Sequence, residues 1–318
     1  MRRVCLLVIF LACISLDIAI AQDSDFSISY TEFDHPDLQG VWAVGFITTI
    51  ERPEGIDGLI ASGEDIAAIQ SEMATALAGN VDPEFEVSGI TQLAKVRGEF
   101  RTSLVVQPED GRIPYNDAGL ALAERLNHEY ESLFDHPEQR PLTERWSAGW
   151  AVPPIRTLPL TFYHQIIQVP DYVLIASEDT SGLRIIHLDG APPETILPSY
   201  KGYSSGRWEG ETLIVETTHF RDDEPERETF TRPVLLGSDS VIVEKFTLLS
   251  RSELLYQFSV TDANYYTETW SGEFSFARHD GRTYEFVCHE GNYSFPGILR
   301  GGQREAIAET EPSDAVVN

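Results

Sequence analysis

The segment from residue 288 to 293 brings together several side chains that can do chemistry. His289 titrates near neutral pH, and Glu290 is a carboxylate that can orient the imidazole or act as its acid partner. Adjacent residues on an extended chain point to opposite faces, so the two cooperate only if Gly291 turns the chain. Asn292 would then orient the reacting molecule. The alternative is a polar strand end held by hydrogen bonds.

A second pair of charged side chains lies on either side of a tight turn. Glu178 ends an alternating row with Tyr172 and Leu174, which predicts that its carboxylate closes an inward apolar row. Arg184 follows the turn and would face Glu178. Such a pair can grip an anionic substrate or stabilise an oxyanion, or it can simply fix the hairpin.

The remaining catalytic patterns are weaker. His187 and Asp189 share a strand face at i, i+2 and would bind a metal with His219 or His289 as a third ligand, but no HExxH or CxxC run supports this. The chain has no G-x-S-x-G elbow and no glycine-rich nucleotide loop. We therefore expect neither a metal nor a cofactor.

These side chains must be positioned by strands. From residue 160 to about 293, strand patterns alternate with short turns, which predicts an antiparallel meander that closes into a barrel or folds into a sandwich. The pattern continues through 283–288, where Tyr284 falls on the buried face. Helices are predicted at 62–78, after a Ser62–Asp65 capping box, and at 117–133.

Period-2 alternation also sorts the faces of these strands. His219 shares a face with Leu213 and Val215, so we expect it to point inward, and Trp270 shares a face with Phe274. An interior with this many aromatic rings either encloses a small apolar or aromatic ligand or is packed solid. We expect the ligand to contact Trp42, Tyr163, Tyr172, Asp189, Trp208, His219, Trp270 and Tyr293.

The N-terminus predicts export. Arg2 and Arg3 precede an apolar run that ends at Ala19-Ile20-Ala21, typical of a cleaved signal peptide over residues 1–21. Lipoprotein processing at Cys13 is the alternative. The expected organisation is a single β-rich domain over 22–302 with helical insertions in its N-terminal half, followed by a polar disordered tail over 303–318. The expected location is the periplasm or the exterior.

The composition narrows the partners. The net charge is −28, which argues against nucleic acid and anionic membranes. After removal of residues 1–21 only Cys288 remains, so no disulfide can form within the chain. The oligomeric state stays open.

Four motifs resemble a large group of exported bacterial β-rich proteins: Arg101–Leu104, Asp110–Pro114, Gly206–Leu213 and Cys288–Tyr293. The resemblance covers residues 37 to 301 and implies a single-domain secreted or periplasmic protein without implying an activity. Seven candidate positions agree with the group's pattern: Arg101, Glu178, Arg184, Asp189, His289, Glu290 and Asn292. His219 stands where similar sequences have asparagine. Gly40-x-Trp42 resembles the opening strand of lipocalin and calycin barrels, in which the tryptophan plugs one barrel end.

The sequence thus leads to one hypothesis with two alternatives. We expect a calycin-like barrel that binds a small, largely apolar molecule and acts on it by cofactor-independent acid–base chemistry, as an isomerase, lyase, cyclase or hydrolase. Glu178 or His289 would be the base, Glu290 or a tyrosine the acid, and Arg184 and Arg101 the electrostatic stabilisers. One alternative is a non-catalytic carrier that uses the same cavity, and another is a structural or surface-interaction protein with a filled core.

Overall fold

The computed structural model describes residues 26–78, 90–142, 144–145, 151–178, 183–188, 193, 195–227, 229, 231–284 and 291–310. These residues form fourteen strands and three α-helices, together with a short 3-10 helix at Pro137–Gln139. In chain order the elements are β1 (Gly40–Val44), α1 (Gly63–Ala78), β2 (Lys95–Val96), β3 (Glu99–Phe100), β4 (Val105–Gln107), α2 (Asp117–Ser132), β5 (Phe162–Val169), β6 (Tyr172–Ser177), β7 (Arg184–Leu188), β8 (Tyr203–Glu209), β9 (Thr212–Thr218), β10 (Glu226–Arg227), β11 (Val234–Leu235), β12 (Val241–Leu248), β13 (Glu253–Thr261), β14 (Trp270–His279) and α3 (Phe295–Thr310).

Nine of the strands close into a barrel. The order around it is β1, β5, β6, β7, β8, β9, β12, β13 and β14, and β1 pairs with both β5 and β14. We call the pairing of β1 with β14, which closes the ring, the seam. Trp42 on β1 lies opposite Arg278 across the seam and opposite His164 on β5. The expected mainly-β barrel is confirmed, and the sandwich alternative is wrong because the first and last barrel strands are paired with each other.

One pair of neighbours departs from the predicted antiparallel meander. β7 and β8 are parallel, with Ile186 opposite Ser204 and Leu188 opposite Gly206. A parallel pair needs a longer connection than a hairpin turn. The chain between residues 188 and 203 provides that length.

The interior of the barrel is filled with large side chains. Trp42, Trp270, Tyr256 and Phe274 are fully buried and belong to one core cluster. An irregular stretch of the chain packs into the same core, since every residue from 151 to 157 is buried. We call residues 151–160 the plug segment.

The two predicted helices are confirmed. α1 follows Ser62, whose backbone N–H and hydroxyl both donate to the Asp65 carboxylate, at 2.8 and 2.7 Å, while the Asp65 N–H donates back to the hydroxyl. At α2 the N-cap Asn116 accepts a hydrogen bond from the Gly119 N–H at 2.9 Å. Both caps satisfy backbone donors that a helix end leaves open.

The C-terminal region differs from the prediction. α3 covers 295–310, so residues 303–310 are helical where the sequence predicted a disordered tail. α3 packs closely against the Phe134 ring at Gly302. Any larger residue would clash there, because an added Cβ would lie 2.1 Å from the ring. Residues 311–318 lie outside the described part of the chain.

The last predicted strand is not formed in the part of it that the structure describes. Residues 283 and 284 are not in a strand, and the Tyr284 side chain, predicted to be buried, is 75% exposed. The physical reason is the barrel seam: β14 already pairs with β1, so its edge has no place for another strand at that end. Within the described residues, no helix is both long and apolar enough to span a bilayer.

Candidate functional site

A buried ion pair lies inside the barrel. Arg184 on β7 donates from Nη1 to Glu244 Oε1 on β12 at 2.9 Å, and its Nη2 contacts the second carboxylate oxygen. Their side chains are 2% and 0% exposed. The other guanidinium hydrogen bonds go to Ser204 and Thr217, at 3.1–3.2 Å. Desolvating two charges is costly, and this geometry offsets the cost by giving every guanidinium nitrogen a partner.

Tyr256 connects this pair to the plug segment. Its hydroxyl donates to Glu244 Oε1 at 2.8 Å and accepts the Ile155 backbone N–H at 2.8 Å. Burial, together with the Glu244 charge, raises the pKa of Tyr256 well above its usual value, so the phenol keeps its proton. We call Arg184, Glu244, Tyr256, Ser204 and Thr217 the inner network.

The inner network holds the fold but leaves no charged group open for catalysis. Sequence reasoning missed Glu244, although a signal was present: the alternation that places Ile242 and Phe246 inside also places Glu244 inside. A buried glutamate in such a row needs partners that offset its desolvation, and Arg184 and Tyr256 are those partners.

Beside the plug segment the barrel mouth contains a small cavity. Its volume is about 20 Å³, which is room for little more than a water molecule. Most of the lining is apolar, and Arg156 is the charged side chain among the described lining residues. The walls are formed by Phe46, Ile47, Thr48, Thr49, Ile50, Met73, Leu104, Pro154, Ile155, Arg156, Thr157, Leu158, Pro159, Thr229, Val234 and Phe258.

A buried histidine faces the interior near the seam. His164 on β5 is 1% exposed, and its Nδ1 lies 2.7 Å from the Ser177 hydroxyl. Its Nε2 has no hydrogen-bond partner among the described residues. Burial lowers the pKa of His164 to about 4, so the imidazole is neutral at pH 7. Sequence reasoning missed it, although it alternates with Ile166 and Gln168 on the inner face.

Glu178 and Arg184 do not pair across the turn, contrary to the prediction. Arg184 points inward to Glu244. Glu178 follows β6 on the outer face, and its Oε1 accepts the Tyr284 backbone N–H at 3.0 Å. Both rows of β6 are apolar, so alternation alone cannot choose between them, and pairing with β5 buries Val173 and Ile175 rather than the row of Tyr172.

Three predicted ligand contacts lie outside the barrel interior. Tyr172 is 40% exposed, and Tyr163 lies on the outer face of β5 against His279. His219 is exposed with φ 62°, a left-handed conformation that ends the alternation of β9 and turns its side chain outward. Phe220 takes the inward position instead.

The other predicted residues are distributed over the molecule. Trp42 and Trp270 are fully buried in the barrel wall as expected, and Arg278 lies over the Trp42 ring at 5.1 Å. Trp208 stacks on His35 at 5.5 Å. None of these three positions tests a role in binding.

The remaining catalytic candidates do not gather at one place. Arg101 lies on the outside of the barrel and donates to Glu273 at 3.0 and 3.1 Å. Asn292 donates to the Glu144 carbonyl at 2.7 Å, and Tyr293 is 87% exposed.

Some predictions fall outside the described residues. His289, Glu290, Asp189 and Cys288 are in ranges that the structure does not describe. Among the described residues, no three His, Cys, Asp or Glu side chains are grouped to hold a metal ion. The His187 ring lies on the outer face of β7 between Tyr172 and Tyr203, at 5.2 and 4.8 Å.

Comparison with known proteins gives no relative from which a function can be transferred. No protein-family model matches the sequence, and a search of curated proteins found no significant similarity. The functional argument therefore depends on the geometry of the chain itself.

Proposed function

We propose that the protein is an exported barrel that binds a small, largely apolar molecule at the barrel mouth, beside the plug segment. The observation that carries the proposal is the cavity whose apolar wall is partly built by that segment. Apolar lining with a few polar groups is the usual character of small-molecule sites. The carrier role needs no free acid or base, which agrees with an inner network whose charged groups are satisfied by one another.

The size of the cavity sets a condition on binding. At about 20 Å³ it is too small for an organic ligand, so a ligand has to displace side chains of its wall. Leu158 is the most suitable side chain for this, because it is half-buried while its neighbours Thr157 and Pro159 are buried.

Substitutions at Leu158 test the site. With the neutral probe N-phenyl-1-naphthylamine, we expect Leu158→Ala to bind more tightly because the cavity is larger, and Leu158→Trp to bind about tenfold more weakly, a change of ~1.4 kcal/mol. Leu197→Trp is the control, since Leu197 is 80% exposed. Equal probe affinity in all four proteins would exclude this site.

Acid–base catalysis is the second candidate. The observation that favours it is the contact of the Glu178 carboxylate with Tyr284, five residues before His289. The assay is incubation of the mature protein with a metabolite extract of its producer, followed by mass spectrometry. A conversion that Glu178→Gln abolishes supports catalysis, and a conversion that is unchanged in Glu178→Gln and His289→Ala rejects these residues as the acid–base pair.

A further inference from the structure

A groove lies on the outer wall of the barrel and is larger than the cavity beside the plug segment. Its volume is about 180 Å³, enough for several water molecules or one small organic molecule. It lies over β12, β13 and β14, on the side opposite the inner network. We call it the outer groove.

The floor of the outer groove is a regular grid of side chains. Strand pairing places Val243, Ser259 and Ser271 in one row across the three strands. The same pairing places Lys245, Gln257 and Glu273 in the next row. Directly opposite residues have Cβ atoms about 5 Å apart, so both rows reach a common ligand.

β4 borders the grid beside β14. β4 pairs with β14 at Ser271 and Gly272, with a shift in register between these two residues. Gly272 is needed there, because a Cβ would lie 2.5 Å from the Phe258 ring and 2.9 Å from the Leu104 carbonyl oxygen. Val106 then borders the groove. Such irregularities often lie next to binding sites because they redirect side chains.

Lys245 is the cation of the grid, and the hydrogen bonds of its neighbours leave it available to a ligand. Glu273 is neutralised by Arg101 and also accepts from Gln257 Nε2 at 3.0 Å. Lys245 is exposed, and among the described residues no carboxylate lies within ion-pair distance of it. Glu216 is opposite Val243 on β9 and therefore diagonal to Lys245.

We infer that the outer groove binds a small organic acid. The carboxylate would accept charge-assisted hydrogen bonds from Lys245 Nζ and hydrogen bonds from the hydroxyls of Ser259 and Ser271, which lie in the adjacent row. The Gln257 side chain contacts the polar body of the acid, and Val106 and Val243 cover its methylene groups. This site shares Phe258 with the wall of the cavity at the barrel mouth, but it lies on the outer wall and does not depend on the function proposed there.

Isothermal titration with succinate tests the inference, with putrescine as a dication of similar size. We expect succinate to bind with a millimolar dissociation constant, Lys245→Ala to weaken binding at least tenfold, and Ser259→Ala to weaken it severalfold. The matched control is Lys95→Ala, which makes the same charge change at an exposed lysine that does not line the groove. Melting temperatures within a few degrees of the parent protein show that the variants are folded.

Three outcomes would overturn the inference. They are no heat of binding with succinate, equal affinity in Lys245→Ala and the parent, and tighter binding of putrescine than of succinate. Probe binding at the barrel mouth, measured in the Lys245→Ala protein, stays unchanged and so separates this result from the fate of the first proposal.

Discussion

The barrel carries two arginine–glutamate pairs in contrasting settings. Arg184–Glu244 lies inside, with side chains 2% and 0% exposed, whereas Arg101–Glu273 lies on the outer wall at 7% and 12%. Inside, the hydrogen bonds of the pair lead to other members of the same network. Outside, the pair borders a groove in which an ammonium group and two hydroxyls face solvent. The inner pair is enclosed by its own network, whereas Glu273 of the outer pair lines the groove for which we propose a ligand.

The largest expected effect is at the inner pair. Glu244→Gln leaves the Arg184 charge buried without a carboxylate, and we expect a loss of about 3–5 kcal/mol in the free energy of unfolding. Urea unfolding measures it. The double variant Arg184→Met with Glu244→Leu recovers much of this loss, because neither buried charge remains. A loss below 1 kcal/mol in Glu244→Gln would place the pair in contact with solvent.

The second-largest expected effect is the pH dependence that His164 gives to the free energy of unfolding. The pKa of its imidazole falls from 6.5 to about 4 on folding, so the unfolded chain binds the proton more tightly. The contribution of His164 to the free energy of unfolding is therefore fully present above pH 6.5 and is lost as the pH falls toward 4. The total change is about 3 kcal/mol, at ~1.4 kcal/mol per pKa unit.

His164→Gln is the measurement for that dependence. The difference in unfolding free energy between parent and variant should shrink as the pH falls from 7 to 4, while His187→Gln on the outer face leaves the profile of the parent. A constant difference across that range would show that His164 titrates normally.

The smallest expected effect is at the outer pair. Glu273→Gln weakens the interaction with Arg101, but the Glu99 carboxylate still contacts that guanidinium at 3.4 Å, so we expect a loss of about 1–2 kcal/mol. Glu209→Gln, in a pair with 56% and 57% exposed side chains, is the control and should change stability by less than about 0.5 kcal/mol. Equal losses in Glu244→Gln and Glu273→Gln would remove the distinction between the two walls.

Much of the barrel could be predicted because alternation has a physical cause. The run of strands after residue 160 and the inward row of Trp270 and Phe274 follow from one buried face per strand. Closure could not be predicted from any single strand, because it depends on the pairing of β1 with β14. The parallel step from β7 to β8 was missed for the same reason, since it depends on where a long connection returns.

The candidate site was predicted less well. Glu178 and Tyr172 were assigned to the wrong face because both rows of β6 are apolar. His219 was misplaced because a single residue with positive φ ends the alternation. Arg184 was identified as an anion-binding residue, but its partner Glu244 is 60 residues away in the sequence. Alternation places Glu244 on the inner face of β12, but no local pattern shows that it pairs with Arg184.

The seam between β1 and β14 also constrains how the chain folds. Val41 pairs with His279, so the contact that closes the ring joins residues from opposite ends of the barrel sequence. Contacts between residues so far apart require a long loop to close, which costs chain entropy before the contact contributes any stabilisation. Such contacts therefore form slowly. The plug segment precedes β5 and can be enclosed as the wall strands add in turn. We therefore expect seam formation to be the late, rate-limiting event, with an open barrel as the species that precedes it.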